Sequence, residues 1–64
     1  MMIREERKKA KITQQELANN VGVTPAYISM LEKGVRHNPS LDLLQKIAKV
    51  LGTSVDTILQ EKAG

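Results

Sequence analysis

The side chains in this sequence that could do chemistry are hydrogen-bonding groups on two short stretches, residues 13–18 and 24–33, and cations concentrated ahead of them. There is no Cys and a single His, His37. The Asp and Glu residues are scattered, with no paired-carboxylate, metal-ligand or phosphate-cradling pattern. Acid–base, nucleophilic and metal-assisted catalysis therefore have no constellation to rest on, and the chain is expected to be neither an enzyme nor a cofactor binder. What remains is recognition by contact. Gln14 and Gln15 open a predicted helix, whose free N–H groups and dipole suit a bound phosphate. A second helix, Pro25 to about Lys33, turns Ala26, Ser29, Met30 and Lys33 outward at 100° per residue. Thr24 and Pro25 form its tip.

The pattern around these residues says how they are held. Thr13 and Glu16 make a T-x-x-E capping box, which satisfies orphan backbone donors and starts a helix from Gln14 to about Asn20. Leu17, Ala18 and Val21 share one face of it. Gly22 tolerates the positive φ that ends the helix and turns the chain. Thr24 can cap the next helix, and Pro25 fits its first position, where a missing N–H costs nothing. Thr24, Ile28 and Leu31 fall on the inward face, with Tyr27 and Glu32 on its flanks. Ala18 is small where the two helices must cross closely. Two such helices joined by a tight turn form a unit whose second helix can enter the major groove of DNA. There Thr24 and Ser29 are short hydrogen-bonders, and Ala26 and Met30 can touch thymine methyl groups.

The flanking sequence completes an all-α reading. Helix 1 should run from Met2 to about Ala10, and half of the ten basic residues lie in the first eleven positions: Arg4, Arg7, Lys8, Lys9 and Lys11. Lys8, Lys9 and Lys11 read either as a solvated face or as neighbours of a phosphate strand. Ser40 caps a fourth helix with an apolar face of Leu41, Leu44, Ile47, Ala48 and Leu51, closed by Gly52. Ser54 caps a short fifth helix whose Val55, Ile58 and Leu59 either cover the core or meet a second copy. With 64 residues and one aromatic side chain, Tyr27, the chain predicts a single domain, residues 1–64, with a core of Leu, Ile, Val and Ala. Apolar runs are too short to span a membrane, and the charged N-terminus lacks the apolar stretch of a signal peptide, so a cytoplasmic protein is expected. A net charge of +3 is compatible with nucleic acid.

The sequence resembles the phage repressor and Cro-like helix-turn-helix domains, also called the xenobiotic-response-element type. The residues that carry the resemblance are TQQELA (13–18), VGVTPAYIS (21–29), LEKG (31–34), NPSL (38–41), LLQKIAKVLG (43–52) and SVDTIL (54–59). The resemblance covers nearly the whole chain and implies a compact five-helix fold of the lambda-repressor-like type. It implies that Gln14, with Gln15 beside it, anchors the DNA backbone, that the Tyr27 hydroxyl reaches a phosphate, and that Arg36 and Asn38 do the same from the loop after helix 3. It implies an Arg7–Glu32 pair tying helix 1 to helix 3. Many relatives carry Gln, Arg or Lys at or near the positions of Met30 and the helix tip. Their absence here predicts modest direct readout, with more of the specificity in DNA shape. The chain departs from the family at Glu6, where an apolar residue is usual and looser packing of helix 1 is expected, at Lys11, where Gly is common, and in a 34–40 loop one residue longer.

The expected function is therefore sequence-specific binding of double-stranded DNA to regulate transcription. The regulator is expected to be a repressor, working as a homodimer through Val55, Ile58 and Leu59 on a palindromic operator, without a small-molecule ligand. Two rivals stand beside it: a protein-interaction regulator of the antitoxin or antirepressor type, and the DNA-binding head of a longer ligand-sensing regulator.

Overall fold

A computed structural model describes residues 1–35 and 39–60. Five helices follow one another in the order α1 (Ile3–Ala10), α2 (Gln14–Val21), α3 (Pro25–Lys33), α4 (Leu41–Leu51) and α5 (Val55–Leu59). Four of them start on side-chain caps. Thr13 and Glu16 complete the capping box, with Glu16 N donating to Thr13 Oγ1 at 3.0 Å and Thr13 N to Glu16 Oε1 at 2.9 Å. Thr24, Ser40 and Ser54 accept from Tyr27 N, Leu43 N and Thr57 N. The first helix has no side-chain cap. Instead Met2 N donates to Ile58 O at 2.7 Å, which ties the start of the chain to α5.

The first four helices end on left-handed residues, and α5 ends on an extended Gln60. At Gly22, φ is +81° and a Cβ would meet nothing within 4 Å, so backbone conformation and not crowding favours glycine. Lys11 closes α1 at φ 60°, the same conformation in a residue with a side chain. The departure from the family's Gly thus leaves the turn intact and puts a lysine where the backbone is strained.

The core is aliphatic. Ile3, Leu17, Ala18, Ile28, Ile47 and Ile58 have no exposed surface, and Val21, Leu31, Leu44, Ala48 and Leu51 close around them. Ala18 is fully buried, as the close crossing of α2 and α3 requires.

Three expectations need correction, at Leu41, Thr24 and Ile58. Leu41 is 62% exposed, because it is the first residue of α4 and its Cα–Cβ bond tilts back past the helix end. Thr24 is exposed, since its hydroxyl is spent capping α3 instead of facing inward. Glu6 is buried to 9% exposure in the place of an apolar residue, with its carboxylate reaching Lys9 at 3.1 Å at the rim. Ile58 is fully enclosed, so it belongs to the core and offers nothing to a second copy.

Lys11→Gly should stabilise the fold. Relief of the left-handed strain exceeds the added freedom of the unfolded chain by about 0.5–1 kcal/mol. The expected result is a melting temperature several degrees higher, since ~1 kcal/mol shifts a domain this small by roughly 4–8 °C. An unchanged or lower midpoint would mean that the lysine side chain makes a stabilising contact of its own.

Candidate nucleic-acid interface

The proposed reading surface is built on one buried carboxylate. Glu32, near the end of α3, has a side chain only 4% exposed. It accepts from Arg7 Nε at 2.8 Å, from Arg7 Nη2 at 3.3 Å and from Gln14 Nε2 at 2.9 Å. Arg7 Nη1 in turn donates to the Ile12 carbonyl at 2.9 Å. A charge taken out of water is tolerated only when it is paired and its lone pairs are filled, and here three donors from two other helices do so. The pair implied by the resemblance is thus present, and Gln14 is part of it.

This arrangement changes the reading of Gln14. It is half-buried at the first turn of α2, and its amide orientation is set by the carboxylate, which only accepts. One N–H is spent on Glu32, and among the described residues the second N–H and the amide oxygen have no other partner. Gln15 is exposed beside it.

Two open clefts meet at Gln14. One lies against Lys8, Lys11, Thr13, Gln15 and Pro25. The other lies against Arg4, Lys8, Ser29 and Lys33. The structure therefore brings Gln14, Gln15, Pro25, Ser29 and Lys33 to one continuous surface. Thr24 and Ala26 are exposed at the tip of α3, outside both clefts, and Tyr27 and Met30 are half-buried along it. No acidic residue lies in the first turn of α3, and Lys33 lies in its last. Arg36 and Asn38, with His37 between them, lie outside the described residues. Val55 is half-buried and Leu59 is 49% exposed on α5, outside these clefts.

Sequence reasoning missed Arg4. The available signal was its spacing from Lys8, one helical turn on. It also grouped Lys9 with Lys8 and Lys11, whereas Lys9 turns to Glu6 and lines neither cleft.

A family model of the helix-turn-helix type matches residues 3–58. The transcriptional regulator SinR of Bacillus subtilis is 40% identical over 60 residues, covering 94% of this chain and 54% of SinR. An HTH-type regulator of Methanothermobacter thermautotrophicus is 55% identical over 51 residues, covering 80% of this chain and 72% of its own length. A crystal structure of SinR, a master regulator for biofilm formation, in complex with DNA superposes with a TM-score of 0.83 at 38% identity, over 91% of this chain and 92% of that one. The chain spans about half the length of SinR. Among the described residues, no helix is long and apolar enough to cross a membrane.

Gln14→Glu should set two carboxylates against each other where a hydrogen bond now joins Gln14 to Glu32. A loss of roughly 1–3 kcal/mol is expected in urea unfolding, recovering partly in high salt as the repulsion is screened. The same change at exposed Gln15 places an acid at a helix start and should be neutral or slightly stabilising. Equal effects at the two positions would contradict the contact.

Proposed function

The chain belongs to the helix-turn-helix family, and from that membership and its geometry we propose that it binds double-stranded DNA as a transcriptional regulator. The observation that carries this is the continuous polar and cationic surface centred on Gln14, whose reverse side is the aliphatic core. A SinR–DNA complex of the same fold supports it. In this reading α3 lies in the major groove. Gln14, Gln15, Tyr27, Lys33, Arg36 and Asn38 contact phosphates and set the register, while Thr24, Pro25, Ala26, Ser29 and Met30 face base edges. No Arg, Gln or Asn stands on the described groove-facing side of α3, so bidentate base contacts are few there and DNA shape carries much of the preference.

The protein acts as a cytoplasmic repressor, because occluding a promoter requires no surface beyond the one that binds it. It acts as a homodimer on a palindrome with half-sites roughly 34 Å apart. The dimer contact uses Leu59, exposed at the end of α5, with Val55 beside it; Ile58 is not available.

Selection from random duplexes, followed by titration of the winning site, tests the reading. A recovered palindrome bound by two chains supports it. Undetectable affinity for every duplex at low salt would instead favour a regulator whose partner is another protein. On the selected site, Gln14→Ala should weaken binding by a similar factor for every sequence, whereas Met30→Ala should alter preference at one or two base pairs. Leu59→Asp should shift the sedimenting species from dimer to monomer while leaving helicity unchanged; an undiminished mass would place the interface elsewhere.

A further inference from the structure

Helix α1 is not acidic or basic at random. Arg4 and Lys8 stand one turn apart on the same side, and Lys11 follows at the C-terminal cap. All three are exposed. The acids of this helix lie elsewhere: Glu6 is buried and paired with Lys9, and Glu5 is half-buried on the next side of the helix. Arg7 is neutralised by Glu32. Among the described residues, Arg4, Lys8 and Lys11 take part in no ion pair. Three uncompensated cations thus form one ridge.

The ridge borders the reading surface. Lys8 lines both clefts, Lys11 lines the one shared with Gln15 and Pro25, and Arg4 lines the one shared with Ser29 and Lys33. Any polyanion seated on Gln14, Ser29 and Lys33 must therefore pass this edge of α1. Seven steps of 1.5 Å from Arg4 to Lys11 carry the ridge over roughly 10 Å. A DNA strand presents a phosphate every ~3.4 Å of duplex axis and roughly every 7 Å along its own path, so the ridge spans about two to three successive phosphates.

We infer that Arg4, Lys8 and Lys11 form a second line of phosphate contacts, which follows the DNA strand past Gln14 and makes α1 part of the DNA footprint. This rests on the DNA-binding reading above. The contacts are independent of sequence, so they raise affinity and salt dependence without choosing a site. Lys9, one residue from Lys8, takes no part.

The test is the slope of log affinity against log salt, measured with the full chain on its selected operator and on a random duplex. Each phosphate contact removed should lower the slope by about 0.9. Arg4→Gln, Lys8→Gln and Lys11→Gln together should lower it by two to three units and weaken both duplexes by the same factor. Lys9→Gln should leave the slope unchanged. Lys11→Gly separates charge from folding: its DNA slope should fall while its melting temperature does not. A triple variant with the wild-type slope, or one that loses only operator binding, would overturn the inference and leave the DNA reading standing. Failure of the wild-type chain to bind any duplex would instead remove the DNA reading itself, and the inference with it.

Discussion

One carboxylate sets how three helices face each other. Hydrophobic burial is non-directional, and an aliphatic core without Phe or Trp can accept several helix orientations at similar cost. The Glu32 carboxylate cannot. It needs Arg7 from α1 and Gln14 from α2 at hydrogen-bond distance, and loss of either leaves charge or lone pairs stranded away from water. Breaking a buried pair of this kind by removing one partner costs on the order of 3–5 kcal/mol. A domain of this length has only about 3–10 kcal/mol of total stability, so the network is a large share of what keeps α3 at its angle.

The same constraint shapes the reading surface. Gln14 sits where structure and proposed contact overlap, since its amide is held by Glu32 and the residue lines both clefts. A side chain already fixed in place loses less freedom when a phosphate arrives, which favours binding without new contacts. The departures from the family pattern follow a similar logic. Glu6 keeps its buried place by turning its carboxylate to Lys9, and Lys11 keeps the turn in a strained conformation while adding a cation to the edge of the surface.

Much of this was legible in the sequence, because caps and left-handed turns are local. The Thr13–Glu16 box, Thr24 before Pro25, and Ser40 and Ser54 mark helix starts through hydrogen bonds that span three residues, and Gly22, Gly34 and Gly52 mark ends through φ alone. Side-chain destinations were less legible where they depend on another element. A helical wheel puts Thr24 inside, but capping claims its hydroxyl. It puts Leu41 inside, but the first residue of a helix points back beyond the layer it belongs to. Nothing in the spacing of Val55, Ile58 and Leu59 reveals that α5 seats Ile58 in the core, since that depends on how α5 packs against α4. Gln14 reads as a phosphate contact at a helix start, and its hold on Glu32, eighteen residues on, shows only when the fold brings the two together.

A double-mutant cycle on Arg7→Met and Glu32→Gln, followed by chemical denaturation, tests the controlling role of the carboxylate most directly. The account predicts that each single change is strongly destabilising and that the pair costs far less than their sum, with a coupling of about 2 kcal/mol or more. Additive losses, with coupling within roughly 0.5 kcal/mol of zero, would contradict it.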